Sequence, residues 1–566
     1  MIPVHILDLA QICAQKGVNQ FIISPGSRCA PITLAMTRHP EIRTRTVSDE
    51  RSAAFIGLGI AQQSRKTVGL VCTSGSAAYN YAPAIAEAFF QQIPLLVITA
   101  DRPSEWIDQL DGQTIRQIGI YGNHVKGSFQ LPILDEHPDT LWHIQRMINE
   151  AINLSQSLPL GPVHINIPLR EPFYPKAEEQ ISFRKDLKII KKLGADLKLS
   201  PSQINNLNKS LQSYKRPMIV VGQQVPDENI NNLLQQIHQS GKAVVVTDVI
   251  ANQAFPGSLQ HHDFFLPLIK DVVKDYTPDL IITFGLSIIS KNLKLFLRNE
   301  VSRAAHWHIQ AHDGATADTF KKLTQVWTAE PLAFLEAFDT HAQANAEYHA
   351  FWISEESKIN EILVDTWPKL AFGELKAYAM VQQKIPANSY LHLANSMTVR
   401  YANMLQSLPR SVEVMANRGT SGIDGSNSTA VGASLNTDAF VTLITGDMAF
   451  FYDRNAFWHN YPLANLRIIV LNNQAGGIFR MIDGPAAQPE LVEYFETRQL
   501  LKAQNLADEF GFDYHGVNDT KGLETALENF YQPSQTAKLI EVFSTSETNT
   551  NILKAFKQQI KTAYEI

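Results

Sequence analysis

The stretch VTLITGDMAFFYDRNAFWHNYPLANLRIIVLNNQAGGIFRM, Val441 to Met481, reads as strand, sharp turn, helix, strand, sharp turn. Val441-Thr442-Leu443-Ile444-Thr445 is a short apolar, β-branched run of the kind that makes a buried parallel strand, and Gly446-Asp447 ends it. Arg467-Ile468-Ile469-Val470-Leu471 is a second such run, ended by Asn472-Asn473. A right-handed crossover lays two such strands side by side, so both open on one carboxyl edge of a sheet. Asp447 and Asn473 are therefore expected to meet despite their separation in sequence. A carboxylate and an amide oxygen are hard ligands suited to magnesium, an ion that prefers to bind through a substrate's phosphates. The stretch is a candidate seat for a metal-bridged diphosphate. Its plainer reading is a βαβ unit whose Asp and Asn cap turns, and a lone Gly-Asp would favour that. The coupled Asn-Asn at the second strand end shifts the weight toward ligand binding.

Outward from this stretch the same alternation fills the chain. Phe21-Ile22-Ile23 runs into Ser24-Pro25-Gly26-Ser27-Arg28, and Ile42 to Val47 ends at Ser48-Asp49-Glu50-Arg51 before an Ala-rich helix. Thr67 to Cys72, Leu95 to Ile98 and Val163 to Ile167 complete a doubly wound first unit. A charged, lysine-rich segment from about Arg170 to Ser202 reads as a surface linker. Strand signals restart at Met218 to Gly222, Ala243 to Val246, Leu280 to Gly285 and Trp307 to Ile309. After a polar stretch around Thr340 to Asn360, expected as a helix, the last third adds Leu391 to Leu393, Glu413 to Met415 and Lys538 to Val542. The expectation is an α/β chain of three consecutive doubly wound parallel-sheet domains, over residues 1–180, 200–345 and 360–566.

Composition narrows the function classes. With 18% charged residues and a net charge of −6, the chain lacks the basic balance of a nucleic-acid binder. No run of about 18 apolar residues marks a membrane span. MIPVHILDLAQ has no basic lead and carries Asp8 early, unlike a signal peptide. Cys13, Cys29 and Cys72 show no metal-ligand spacing and read as reduced thiols of a cytoplasmic protein. Gly57-x-Gly59 lies inside a helical pattern without a third glycine in register, and Gly241-Lys242 lacks the glycine of a P-loop.

Gly446-Asp447 followed by Asn472-Asn473 resembles the thiamine-diphosphate signature of the pyruvate-decarboxylase-like enzymes. That resemblance implies thiamine diphosphate with magnesium, for which manganese can substitute. Asp447, Asn473 and the Ala475 carbonyl would hold the metal, and Gly446 would make the turn against the cofactor. Met448 stands where the family usually has Gly or Leu, a departure that touches neither ligand nor turn glycine. The family also uses a first-domain glutamate against the aminopyrimidine, where a carboxylate favours the imino tautomer. Glu50 is placed for that role; its plainer reading is a helix-start carboxylate favoured by the macrodipole. Because the family's cofactor spans two chains, a homo-oligomer, dimer at least, is implied.

A finer set of motifs is similar to the 2-succinyl-5-enolpyruvyl-6-hydroxy-3-cyclohexene-1-carboxylate synthases of menaquinone biosynthesis. The set is Ser24 to Arg28, Ser48 to Ala53, Thr99 to Pro103, Asn417-Arg418-Gly419 with Ser421 to Gly425, and Gly477-Ile478-Phe479. The similarity runs in order through the first and last domains and is thin in the central one. It implies decarboxylation of 2-oxoglutarate and 1,4-addition of the succinyl-semialdehyde carbanion to isochorismate. Both substrates are dicarboxylates, so a net-acidic chain must gather cations, and arginine's fork binds carboxylate bidentately. Arg28, Arg102, Arg400 and Arg418 all follow predicted strand ends. Any one of them is more often a surface or ion-pair residue; four are harder to dismiss.

By this resemblance Ser396, Arg400 and Arg418 face the carboxylate derived from 2-oxoglutarate, and Ser27, Arg28, Arg102, Gln113 and Lys291 face isochorismate. Ile423 would prop the cofactor in its bent form, and Ile478 and Phe479 would wall the pocket; plain core packing is the alternative for all three. Asn292 departs from the family, which often has a second basic residue after the lysine. Asp483 to Pro489 is a candidate mobile cover. Rival readings are an acetolactate-synthase-like enzyme or 2-oxoacid decarboxylase, which would not need the four arginines, and a regulatory protein that keeps the cofactor seat alone.

Overall fold

The computed structural model describes residues 2–176, 181–269, 273–406 and 408–565. It contains three parallel sheets. The first joins β1 (Gln20–Ile23), β2 (Arg43–Thr46), β3 (Val68–Cys72), β4 (Leu95–Asp101), β5 (Ser128–Gln130) and β6 (Val163–Pro168) in the order β2-β1-β3-β4-β6-β5. The second joins β7 (Pro217–Val221), β8 (Val244–Thr247), β9 (Leu280–Phe284), β10 (Ala305–Gln310) and β11 (Leu323–Thr328) in the order β11-β10-β9-β7-β8. The third joins β12 (Tyr390–Leu393), β13 (Glu413–Met415), β14 (Val441–Gly446), β15 (Leu466–Asn472), β16 (Asp513–Val517) and β17 (Lys538–Phe543) in the order β13-β12-β14-β15-β17-β16.

The sequence reading missed β5, β11 and β16, and all three are edge strands. An edge strand pairs on one side only and here stays partly exposed, so SFQ, LTQVWT and DYHGV carry no continuous apolar run. The central strands, such as VGLVC of β3 and PMIVV of β7, are buried throughout and were legible.

Each sheet is apolar on both faces, and the faces are shared. Val441 and Leu443 of β14 point into a cluster with Phe55, Ile60 and Leu70 of the first sheet's layer. Ile444 of the same strand points oppositely, into a cluster with Val220 and Ile281 of the second sheet. The period-2 alternation of one strand thus welds the third sheet to both others. The closest weld is the crossing of helix Glu50–Ser64 with helix Ser426–Ser434. A Cβ on Gly59 would lie 2.0 Å from the Thr429 carbonyl oxygen, and one on Gly432 would lie 2.1 Å from the Ile56 carbonyl oxygen. Gly59 is therefore a contact glycine, in keeping with rejection of the dinucleotide fingerprint.

The described part of the expected surface linker from residue 181 to 199 forms neither helix nor strand and is pinned to the first sheet's helices. Arg184 Nε donates to Asp8 at 3.0 Å, and the Ile190 N–H donates to Asn149 Oδ1 at 2.8 Å. Residues 177–180, which hold the expected end of the first domain, lie outside the described residues. The polar stretch around Thr340 to Asn360 is helical, in Pro331–His341 and Ala346–Thr366, with a break at Ala342 to Asn345. Among the described residues, no helix is long and apolar enough to cross a membrane.

Candidate active site

Strands β14 and β15 pair in parallel, with Gly446 opposite Leu471, so the turns that follow them open side by side. Because β13, β12, β14 and β15 are consecutive neighbours, their carboxyl ends form one continuous edge. Along it stand Arg418 after β13, Ser396 and Arg400 after β12, Asp447 after β14 and Asn473 after β15.

Asp447 is buried, and its Oδ2 accepts from Gln499 Nε2 at 2.6 Å. Burial raises its carboxyl to about 6, against the pull of that hydrogen bond. Asn473 donates Nδ2 to Glu374 at 2.6 Å, while its Oδ1 accepts from the Ala475 N–H at 3.0 Å. Glu374 is fully buried and also accepts from Tyr401 Oη at 3.0 Å. Burial lifts Glu374 to about 7, the two hydrogen bonds oppose this, and the Asp447 charge adds to it. Among the described residues, no heavy atom beyond its chain neighbours lies within 4 Å of a Cβ built on Gly446, so the turn faces open space. Carboxylate, amide oxygen and main-chain carbonyl on two adjacent turns form an all-oxygen donor set that fits magnesium with a phosphate-bearing partner.

Of the neighbouring cations, Arg418 is held by Asn395. Arg418 Nη1 donates to Asn395 Oδ1 at 2.7 Å, and Asn395 Nδ2 donates to the carbonyls of Asn417 (2.7 Å) and Gly422 (2.6 Å). Arg400 Nη1 donates to the Ser396 carbonyl one helical turn back. Ser396 holds φ 75°, ψ −129° at the start of helix Met397–Leu405, a conformation costly for a residue with a Cβ. Burial pulls both guanidinium groups below their usual range, and Arg400 pulls further on Arg418. Arg418 Nε is buried with no hydrogen-bond partner among the described residues. The loop after Arg418 is clamped from the first sheet's side by Glu87, which accepts from the Gly419 N–H (2.7 Å), the Thr420 N–H (2.6 Å) and Thr420 Oγ1 (2.6 Å).

On the first sheet's carboxyl edge, Glu50 opens helix Glu50–Ser64 beside its N-cap Asp49. It is half-buried, and its carboxyl is raised by burial and by the Asp49 charge. Arg51 Nη2 donates to the Tyr452 carbonyl at 2.9 Å, and Asn455 Nδ2 donates to Asp49 Oδ2 at 2.7 Å, which seats this corner on the third sheet's layer. None of the contacts among the described residues joins Glu50 to Asp447 or Asn473 within one chain. Arg28 is buried, donates to the Leu169 carbonyl at 2.8 Å and lies over the Phe173 ring at 4.5 Å; Ser27 beside it is exposed. Arg102 donates Nη2 to the Gly112 carbonyl at 2.8 Å, next to exposed Gln113, and pairs with Asp111 at 3.3 Å.

From the second sheet, exposed Lys291 begins helix Lys291–Leu295 after β9, and Asn292 Nδ2 donates to the Asp263 carbonyl at 3.0 Å. Ile423 is half-buried and belongs to none of the apolar clusters among the described residues, so core packing does not account for it. Ile478 does pack against the core shared by the second and third sheets, whereas Phe479 is 36% exposed, with its ring 5.9 Å from that of Phe495. Asp483 to Pro489 is largely exposed and includes the short helix Asp483–Ala486. Its base is closed by Arg480, which donates to Glu496 through Nε (2.8 Å) and Nη2 (2.7 Å).

Glu374, Glu87 and Gln499 escaped the sequence reading. Each acts on a candidate residue distant in sequence, and no local motif surrounds it.

Residues 8–121 match the family described as thiamine pyrophosphate enzyme, N-terminal TPP binding domain, and residues 199–393 match the middle domain of thiamine pyrophosphate. Curated relatives named 2-succinyl-5-enolpyruvyl-6-hydroxy-3-cyclohexene-1-carboxylate synthase align over nearly the full chain. The relative from Cytophaga hutchinsonii is 46% identical over 562 residues, covering 99% of each chain. That from Christiangramia forsetii is 38% identical, covering 96% of this chain and 97% of its own, and that from Bacteroides thetaiotaomicron is 35% identical, covering 98% and 99%.

Proposed function

This chain belongs to the 2-succinyl-5-enolpyruvyl-6-hydroxy-3-cyclohexene-1-carboxylate synthase family of thiamine-diphosphate enzymes in menaquinone biosynthesis, and from that premise we propose that it is a cytoplasmic transferase that decarboxylates 2-oxoglutarate and adds the remaining four-carbon unit, in a 1,4 sense, to isochorismate. The observation that carries this reading is the single sheet edge on which the Ser396, Arg400 and Arg418 cluster adjoins the Asp447 and Asn473 turns. A carboxylate-binding cluster beside a diphosphate seat suits an oxo acid with a second, distal carboxylate.

Bound thiamine diphosphate supplies the electron sink for decarboxylation and the nucleophilic carbon for the addition. Asp447, Asn473 Oδ1 and the Ala475 carbonyl would hold magnesium, and Gly446 would leave room for the diphosphate. Ile423 would support the bound cofactor. Glu50, its carboxyl raised by burial, would hold a proton against the cofactor's aminopyrimidine nitrogen. Arg400 and Arg418 grip the distal carboxylate of 2-oxoglutarate, with Ser396 at the reacting end. Ser27, Arg28, Arg102, Gln113 and Lys291 receive the carboxylates of isochorismate, and Ile478, Phe479 and the Asp483 to Pro489 segment exclude water. Residues 1–180 form the pyrimidine-binding domain, 200–345 the central domain and 360–566 the diphosphate domain. The chain acts as a homodimer or larger, Glu50 of one protomer serving the metal seat of its partner. Exposed Trp106, Leu110, Tyr452 and Trp458 supply apolar surface for such an interface.

The test is turnover of 2-oxoglutarate by chain loaded with thiamine diphosphate and magnesium, with and without isochorismate. Consumption that requires isochorismate supports the reading. Consumption of small mono-carboxylate oxo acids instead would assign the chain to a decarboxylase-like activity, and no consumption at all would remove the enzymatic reading.

A further inference from the structure

Gln499 is half-buried and stands where the chain returns from the excursion that carries the Asp483 to Pro489 segment. Its main-chain N–H donates to the Gln474 carbonyl at 3.0 Å, and the Gly476 N–H donates to the Glu496 carbonyl at 2.7 Å. The excursion therefore closes beside the turn that follows β15. Gln474 (φ 61°) and Thr497 (φ 49°), on the two sides of this closure, are non-glycine residues in the left-handed region, a costly conformation that the surrounding contacts must hold.

The neighbours of the Gln499 amide fix which way it faces. The Leu501 N–H can only donate, and it donates to Gln499 Oε1, so Nε2 points the other way. There Nε2 donates to Asp447 Oδ2 at 2.6 Å and reaches Asn472 Oδ1 at 3.4 Å. Asn472 is pinned by the same logic. Its Oδ1 accepts from the Gln474 N–H at 3.1 Å, so its Nδ2 donates to the Leu501 carbonyl (3.1 Å) and to Glu541 Oε1 (2.6 Å). Glu541, fully buried on β17, also accepts from the Ala503 N–H (2.9 Å) and from Tyr514 Oη (2.7 Å). A chain of oriented side chains thus runs from Glu541 through Asn472 and Gln499 to Asp447.

We propose that Gln499 sets the metal preference of this seat: with Oδ2 taken, Asp447 offers an ion one oxygen, which suits magnesium better than calcium. This rests on the metal seat proposed above. Magnesium demands near-ideal octahedral geometry at about 2.0–2.1 Å, and the two oxygens of one carboxylate are too close together to span an octahedral edge at that radius. Calcium is larger, takes six to eight oxygens at about 2.3–2.6 Å and accepts both oxygens of a carboxylate. To serve calcium in that way Asp447 must surrender a short, charge-assisted hydrogen bond. The amide that donates it is held from behind by Leu501 and Asn472, so it does not swing aside with the carboxylate.

Gln499→Met removes the donor at nearly constant side-chain length. Thiamine diphosphate is titrated calorimetrically into wild-type and variant full-length chain over a range of magnesium or of calcium concentrations, which gives the apparent affinity for each ion without turnover. In Gln499→Met the magnesium affinity should fall about 10- to 100-fold, the usual weight of a partner to a metal ligand, and the calcium affinity by less than about threefold. Gln499→Glu keeps the acceptor toward the Leu501 N–H but loses the donor, so it should show the same drop in the magnesium-to-calcium ratio, and it carries the test if the Met variant does not fold. A ratio that stays at the wild-type value, whether both affinities hold or both fall together with a lowered Tm, would overturn the proposal. If wild-type chain binds thiamine diphosphate equally well without any divalent ion, the metal seat itself falls, and the role of Gln499 with it.

Discussion

Asn473 donates its side-chain amide to the buried carboxylate of Glu374 at 2.6 Å, and this contact decides which way the amide faces. The Ala475 N–H donates to Asn473 Oδ1, so Nδ2 points at Glu374 and Oδ1 turns to the side of the proposed metal ligands.

Replacing Glu374 by Gln keeps the shape but supplies a donor as well as an acceptor, which frees the Asn473 amide to flip. Partners of metal ligands typically matter by about 10- to 100-fold in metal affinity. Magnesium titration of cofactor binding to Glu374→Gln should show a loss in that range; wild-type affinity would mean that the contact does not orient the ligand.

Glu50→Gln should bind thiamine diphosphate and magnesium as tightly as the parent chain but turn over less than about 1% as fast, since a positioned acid–base group contributes about 100- to 10,000-fold. Calorimetry and steady-state assay separate the two effects. A rate within a few-fold of wild type would leave Glu50 as an ordinary helix-start carboxylate.

Glu87 is 1% exposed and accepts three hydrogen bonds from the loop that follows Arg418. Glu87→Ala strands those donors, which should cost about 2–4 kcal/mol in denaturant unfolding. The same change loosens Arg418, so the KM for 2-oxoglutarate should rise more than the KM for isochorismate. Equal movement of both constants would point to a general loss of structure.

His392 sits within β12, is buried, and is held down to about 3 by burial, with its Nε2 unpartnered among the described residues. A base whose folded value lies below its unfolded value of 6.5 leaves the unfolded chain binding more protons as the solution is acidified. Its contribution to stability is therefore complete above pH 6.5 and is lost as pH falls toward 3. His164, held to about 3 by burial, acts in the same direction. His392→Leu should move the acid-unfolding midpoint to lower pH, measured by circular dichroism, and should change stability little at pH 8; an unshifted midpoint would mean that His392 does not titrate on unfolding.

The sequence was most informative where strands are central. β14 and β15 announced themselves because a strand buried on both faces must be apolar along its whole length, and their turns carried Asp447 and Asn473 into view. Edge strands β5, β11 and β16 stayed hidden because a partly exposed strand is under no such constraint. The arginines were legible as positions after strand ends. Their partners were not, because Asn395 joins Arg418 through a side-chain contact that no periodicity encodes.

By itself, then, the sequence determined the α/β alternation, the turn residues of the candidate metal seat and the family to which the chain belongs. Only the tertiary structure decided that β13, β12, β14 and β15 are neighbours, which sets Arg418, Arg400, Asp447 and Asn473 along one edge. It also decided that Glu374 and Glu87 reach that edge from other parts of the chain. The physical reason is that strand identity follows from local burial pattern, whereas strand order and side-chain partnership follow from packing between segments far apart in sequence.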